Sequence, residues 1–379
     1  MTDGEALIAL NMLPKIGPVR VRRLVEACGS PAAVLSAGVD TLRKVEGIGQ
    51  ETAALVRRWE ESVDLSGELE RIREMGVSVV TQLDELYPAP LREIHDPPLL
   101  LYVQGKLESR DRLAVGVVGS RRATAYGLTA ARKLSFQLAH AGVTVLSGLA
   151  RGIDTAAHEG AVAAKGRTIG VIGSGLARLY PPENAALAAR IAGGHGAVVS
   201  EFPILTEPDK QTFPQRNRIV SGWSSGILVV EAPAWSGALI TANNAADQGR
   251  SVYAVPGPID RASSLGCNKL IQNGARLVVD AGDILEDLDL LLPREPELAL
   301  GGAAQTQEPA AAMEKAAPRA DLSPAERGVW EVLADGEMSL DDLITASGLP
   351  ASDVAVALMR LEIRRLVRQL PGRRYIKAG

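Results

Sequence analysis

Val117-Val118-Gly119-Ser120-Arg121-Arg122, Ser147-Gly148-Leu149-Ala150-Arg151-Gly152-Ile153-Asp154 and Phe213-Pro214-Gln215-Arg216-Asn217-Arg218 decide the reading of this sequence. Each puts small or basic residues where an apolar run ends. In a parallel sheet such loops lie at the carboxyl ends of strands and open helices whose first N–H groups are unpaired, a geometry that binds phosphate. All three carry arginine, and none contains a nucleoside-triphosphate motif. The combination points to a sugar-phosphate backbone as ligand rather than a nucleotide to be hydrolysed.

Around these loops the sequence alternates apolar strands with helical segments. Strands are expected near 114–118, 143–146, 168–172, 197–199, 226–230, 252–255 and 277–279. Helices are expected at 127–141, 154–164, 184–192, 238–249 and 263–273. This alternation predicts an α/β fold, an extended Rossmann-like, doubly wound, mostly parallel sheet over residues 112–292. Residues 1–65 read as short helices broken by Gly and Pro, a helix-hairpin-helix or SAM-like domain. Residues 66–111 read as a connecting segment, with 96–103 an edge strand after a proline stop. Residues 293–320, rich in Ala, Pro, Gln and Glu, read as a flexible linker. Residues 321–379 read as a winged helix, with Ser352 as an N-cap and Pro371-Gly372 as the wing turn.

The 379 residues are 46% hydrophobic, enough for two or three domains with their own cores. The net charge of -4 means that nucleic-acid binding needs cations concentrated on one surface. Cys28 and Cys267 have no partner at metal-ligand spacing, so they are expected to be buried thiols, with no disulfide framework and no metal site. The first residues lack the basic end and apolar core of a signal peptide, and no apolar run is long enough to span a bilayer. A cytoplasmic protein without membrane contact is expected.

Arg121 is the leading phosphate ligand, since its planar fork matches two phosphate oxygens; the alternative is an ion pair that holds the loop. Gly119 and Ser120 supply the turn, but the segment does not follow the dinucleotide fingerprint, so no cofactor is expected. Phe213 is one of only three phenylalanines and lies in a basic stretch with Lys210, Arg216, Asn217 and Arg218. A ring beside cations suits stacked bases of a single strand, and a core-capping role is the alternative. Ser236 and Gly237, before another helix, offer further amides. Ser147, Asp154 and His158 invite a catalytic reading, but Asp154 reads better as an N-cap and His158 as a packed group, so no catalytic residue is assigned. Glu231 reads as a catalytic relic or an orienting acceptor, the plainer alternative being a group that orders its loop. Val45-Glu46-Gly47-Ile48-Gly49-Gln50 matches a helix-hairpin-helix turn, making Gly47 and Gly49 secondary DNA contacts, unless the bundle serves only packing. Arg364 and Arg365, within a basic tail, suit duplex DNA or an acidic partner.

These residues resemble the DNA-processing protein A family, also called DprA or Smf. The resemblance rests on Val118-Gly119-Ser120-Arg121, Ser147 to Asp154 with His158, Gly173-Ser174-Gly175-Leu176, Tyr180-Pro181 with Asn184, and Ser200-Glu201-Phe202-Pro203. It continues through Arg216-Asn217-Arg218-Ile219, Leu239-Ile240-Thr241-Ala242 and Ala254-Val255-Pro256-Gly257. It implies a recombination mediator of natural transformation that binds single-stranded DNA, dimerises and loads the RecA recombinase onto strands coated by single-strand-binding protein. It further implies Arg121 as the central phosphate contact, Lys210 as added charge, Phe213 against a base, and Ser147-Gly148, Arg151 and Ser236-Gly237 completing the pocket. Leu265, Leu270 and Ile271 are the dimer candidate. Two rivals stay open: a phosphoribohydrolase-like enzyme, although its Pro-Gly-Gly-x-Gly-Thr-x-x-Glu loop is missing, and a transcription regulator acting through the winged helix.

Overall fold

The computed structural model describes residues 1–291, 323–333, 338–350, 353–354, 357–358, 361, 366–370 and 374–377. The expected linker 293–320, Ser352, Arg364, Arg365 and the Pro371-Gly372 turn lie outside the described residues. Residues 1–296 form one compact unit and 297–379 another.

The first unit opens with helices Asp3–Met12, Pro18–Cys28, Pro31–Ser36, Val39–Arg43, Gln50–Arg57 and Leu65–Glu74. Their ends follow from local chemistry. Thr2 and Glu5 form a capping box, Pro18 and Pro31 sit in first turns, and Gly29 closes its helix in the left-handed region at φ 92°. Two polar links join the helices to the segment after Ser200: Glu68 accepts the buried Ile204 N–H at 2.8 Å, and the half-buried Asn11 amide donates to the Glu201 carbonyl at 2.8 Å.

The sheet has nine strands: β1 (Ser78–Thr81), β2 (Leu100–Gly105), β3 (Ala114–Val118), β4 (Thr144–Ser147), β5 (Thr168–Val171), β6 (Gly196–Ser200), β7 (Gly226–Val229), β8 (Ser251–Ala254) and β9 (Arg276–Leu277). Their order is β1-β2-β6-β5-β4-β3-β7-β8-β9. From β6 to β9 all pairings are parallel, while β2 joins β6 and β1 joins β2 antiparallel. Chain order runs one way from β3 to β6 and the other way from β7 to β9, so β3 and β7 flank a topological switch point. Helices Ala125–His140, Ile153–Ala163 and Gly282–Leu291 cover one face over Val115, Val117, Val145 and Tyr253. Helices Thr212–Trp223, Gly237–Asp247 and Leu265–Gln272 cover the other over Val118, Ile227 and Val229.

Two expectations are corrected. The strand expected at an edge is β2, an interior strand between β1 and β6 whose Leu100, Leu101, Tyr102 and Val103 are all buried. Its prolines Pro97 and Pro98 precede the strand, where a missing N–H breaks no ladder. The segment Phe213–Arg218, read as a loop, is the first half of the helix Thr212–Trp223. Pro214 falls in the first turn, whose N–H groups have no intrahelical partner. Cys267 is buried as expected, whereas Cys28 is only half-buried.

The second unit contains helices Pro324–Val332 and Leu340–Ser347, each opened by a capping box (Ser323 with Glu326, Ser339 with Asp342). Its sheet joins β10 (Met338–Ser339), β11 (Val367–Leu370) and β12 (Arg374–Lys377) in the order β10-β12-β11. Val329, Leu333, Leu343, Val354, Leu358, Leu361 and Val367 form its core. That is the winged-helix pattern expected from the sequence.

A buried polar node ties the first unit together. Arg167 grips both carboxylate oxygens of Asp111 at 2.7 Å, and Thr144 Oγ1 and the Glu108 N–H donate to the same carboxylate. The Asp111 carbonyl accepts the Trp223 indole N–H at 2.9 Å. The substitution Asp111→Ala leaves the buried Arg167 guanidinium with only the more exposed Glu108 carboxylate and the Lys106 carbonyl, each at 2.8 Å, and is expected to cost about 3 kcal/mol of stability. A urea melt reads this directly; a loss below about 1 kcal/mol would contradict the role assigned to the node.

Candidate functional site

At the switch point, loops following β3, β4 and β7 meet the start of the helix Thr212–Trp223 around a cavity of about 650 Å³. Ten residues singled out in the sequence line it: Gly119, Ser120, Arg121, Gly148, Lys210, Phe213, Arg216, Asn217, Ser236 and Gly237. The β3 loop is held in shape by backbone bonds. The Ser120 N–H donates to the Glu231 carbonyl at 2.7 Å, and Ser120 Oγ accepts from the Arg122 N–H at 3.1 Å. Glu231 itself receives the N–H and hydroxyl of Thr124, the N-cap of Ala125–His140, so it orders the loop, the plainer of its alternatives. Gly152, at φ 78°, lets the β4 loop pass against the Ser120 carbonyl, where any Cβ would overlap it.

Phe213 stands on the helix start with Thr212 Oγ1 bonded to the Gly173 carbonyl, and its ring lies across Gly173. The Arg121 guanidinium sits 5.2 Å from the Phe213 ring centroid. Tyr180 packs against the same ring, tilted by 50°, with the centroids 5.9 Å apart. A guanidinium over a ring gains about 0.5–2 kcal/mol and keeps its N–H edge free for phosphate. Among the described residues, Arg121, Arg122 and Lys210 have no carboxylate partner, and all three are exposed.

The cavity floor is charged and buried. Arg216 is 4% exposed and donates to the Val171 carbonyl, directly beneath Gly148, where a Cβ would overlap the guanidinium. Burial pushes its basicity down to about 10; the Asp154 charge opposes the fall, and Arg121 adds to it. Asp154 accepts the N–H groups of Gly148 at 3.0 Å and Ala150 at 3.3 Å. It therefore fixes the preceding loop, while Gly152 is the N-cap of the helix Ile153–Ala163, in place of the N-cap role expected for Asp154. Burial raises the Asp154 carboxyl above its ordinary value, with Arg216 acting against that rise. His158 is fully buried and bonded to Thr168 Oγ1 at 2.7 Å, a packed group as read from the sequence.

Three expected contacts lie elsewhere. Ser147 Oγ is buried and donates to the Val117 carbonyl at 2.6 Å, so it closes the strand pair and does not reach the cavity. Arg151 is paired with Glu183 at 2.6 Å and lies over the Tyr180 ring at 5.8 Å, outside the lining. Arg218 is held by Glu201 at 2.6 Å and Asp96 at 2.9 Å and lines a separate cavity beside His95 and Arg250. Gly47, at φ 81°, and Gly49, the N-cap of Gln50–Arg57, shape the second hairpin of the N-terminal helices. Among the cavity residues that escaped assignment are Arg122 and Trp235, which is 98% exposed on the β7 loop. Trp235 carried the same signal as Phe213, an aromatic ring stranded among small and polar residues.

Comparison with known proteins decides the family. A sequence model described as DNA recombination-mediator protein A matches residues 78–289. The chain belongs to this family, DprA/Smf. A DprA winged helix domain matches residues 313–373, and a SAM-like helix-hairpin-helix tandem matches 7–58. Protein Smf of Synechocystis is 33% identical over 389 residues, spanning 97% of each chain. The X-ray structure of DprA from Streptococcus pneumoniae superposes with a TM-score of 0.67 at 34% identity, covering 76% of this chain and 98% of that one. A structure of DprA from Helicobacter pylori, described for its single-stranded DNA binding mode, gives a TM-score of 0.50 at 27% identity, covering 56% of this chain and 96% of that one. All ten of the cavity residues singled out in the sequence fall within the stretch that matches the family.

The buried floor makes a pH prediction for this DprA/Smf member. Burial holds the His158 imidazole down from 6.5 to about 3, with the Arg216 charge adding to the effect. A group depressed on folding contributes stability that is present above its unfolded value and lost as pH falls towards the folded one, so the window runs from 6.5 to about 3. Between about pH 7 and about pH 5 the His158 contribution falls by about 2 kcal/mol. Asp154 pulls the opposite way at acid pH but is common to both proteins compared. Urea melts of wild type and His158→Gln should converge by about that amount over this interval; parallel curves would show that His158 is not held neutral.

Proposed function

We propose that this chain binds single-stranded DNA in the cavity at the switch point and passes it to the RecA recombinase, as a mediator in natural transformation with no catalysis of its own. One observation carries the reading: the Arg121 guanidinium over the Phe213 ring at the mouth of a cavity where, among the described residues, Arg122 and Lys210 also lack carboxylate partners. Cations follow the backbone while a ring takes a base without regard to its identity. A net charge of -4 over the chain makes this local concentration of cations the electrostatic footprint that strand binding needs.

Family membership supports the mediator over the phosphoribohydrolase and the transcription regulator. The single-stranded DNA binding described for the Helicobacter pylori protein supports the choice of ligand. RecA loading, and the capture of strands coated by single-strand-binding protein, rest on the motif resemblance. Dimerisation belongs to the same reading: Leu265 is 46% exposed, Leu270 and Ile271 are half-buried beside it, and the adjoining sheet edge at β9 exposes Leu277 and Val279. Two copies would double the cationic cavities on one strand and raise avidity. The proposed location is the cytoplasm, where DNA and RecA meet; among the described residues no helix is long and apolar enough to cross a membrane.

Fluorescence anisotropy of a labelled oligothymidine and a matched duplex, over a range of salt, tests the reading. Wild type is expected to favour the single strand, and Arg121→Ala and Lys210→Ala are each expected to weaken it about tenfold or more. The slope of log affinity against log salt should fall by about 0.7 for each phosphate that is no longer neutralised. Equal or stronger duplex binding, indifferent to both substitutions, would overturn the assignment.

A further inference from the structure

Along the carboxyl edge of the sheet, in spatial order β5, β4, β3, β7 and β8, the following loops carry Tyr180, Arg151, Arg121, Trp235 and Arg261. Adjacent strands are about 4.8 Å apart, so this row spans roughly 19 Å, longer than a single nucleotide occupies. Beyond the central cavity, on the β8 side, lies a second cavity of about 610 Å³ between the start of the helix Ala125–His140 and the loop after β8. Ser263 lines both cavities, so the two adjoin at that residue.

The walls of this second cavity repeat the chemistry of the first. The Tyr126 ring is 54% exposed, yet it is anchored, because its hydroxyl donates to the Pro256 carbonyl at 3.0 Å. Arg261 is exposed and, among the described residues, has no carboxylate partner. Glu231 forms the back wall with its oxygens already receiving the Thr124 N–H and hydroxyl. A carboxylate there repels phosphate, so the sugar-phosphate chain is directed to the Arg261 side and the cavity itself is left for a base.

We infer that this cavity is a second nucleotide subsite: a strand leaving the Arg121–Phe213 cavity crosses Ser263, stacks its next base on Tyr126 and places a phosphate at Arg261. The inference rests on the reading of the central cavity as a single-strand site. It gives the protein a binding track with a direction along the sheet edge, and it predicts that affinity grows with oligonucleotide length beyond what one cavity holds.

The test is anisotropy with an oligothymidine of about 16 nucleotides, and competition by a short one of about 2 nucleotides that the central cavity alone can hold, against wild type, Tyr126→Leu, Arg261→Ala and Arg121→Ala. Both flanking residues are exposed, so their variants are expected to melt like wild type. Tyr126→Leu and Arg261→Ala should each weaken the long oligonucleotide about five- to tenfold, and Arg261→Ala should also lower its salt slope by about 0.7. Binding of the short one should stay within about twofold of wild type. Arg121→Ala should weaken both. Equal losses for short and long strands, or no loss for the long strand, would overturn the second subsite while leaving the first intact. Failure of wild type to bind either strand, or indifference to Arg121→Ala, would instead remove the central reading and the subsite with it.

Discussion

The buried guanidinium of Arg216 is the contact on which the geometry of the site depends. It reaches from the helix Thr212–Trp223 under the β4 loop to the Val171 carbonyl at the end of β5, joining three elements at one point. Desolvating a charge costs several kcal/mol, and this one is offset only in part, since its Nε has no partner among the described residues. The offset comes from the Val171 carbonyl and the field of Asp154. Gly148 leaves room above it, since a Cβ there would overlap the guanidinium and push it from this position. Phe213 lies one helical turn before Arg216, so anchoring the arginine below also sets the height of the ring above.

The electrostatics of the cavity follow from that anchor. Among the described residues, Arg121, Arg122, Lys210 and Arg216 line it against a single carboxylate, Asp154, which is occupied by two backbone N–H groups. A chain that is acidic as a whole thus presents a cationic cleft at the point where the strand order reverses. The helix Gly237–Asp247 adds its N-terminus to the same wall, with Ser236 capping the Ala238 N–H at 3.3 Å. Open α/β sheets bind ligands at such reversals because the loops on either side diverge and leave a crevice.

The parallel strands were legible in the sequence because residues such as Val115, Val117, Ile169 and Leu228 are buried between two helical layers and read as unbroken apolar runs. The Thr212–Trp223 helix was hidden for a specific reason. Its buried face is Arg216, Ile219, Val220 and Trp223, a helical spacing in which the first member is a cation. Once the helix is known, Arg218 cannot share the cavity with Arg216, because two residues apart is about 200° around the axis. Ser147 misled in the same way: at the end of β4 its hydroxyl was free, as far as the sequence shows, to face either strand or cavity. Trp235 lies in a loop with no periodicity, and only its chemical isolation marked it. Strand β1 was missed and β2 was read as an edge because both attach antiparallel, outside the strand-helix alternation.

Photo-crosslinking a thiothymidine-containing single strand to the full-length protein, with the adducts mapped by mass spectrometry, tests most directly whether the strand lies in the switch-point cavity. Adducts are expected on the peptides that hold Phe213 and Trp235, and they should disappear when Arg121 is replaced by alanine. Adducts confined to residues 7–58 or 323–377, unchanged by that substitution, would show that the strand binds on the flanking helical domains and that the cavity at the switch point serves another purpose.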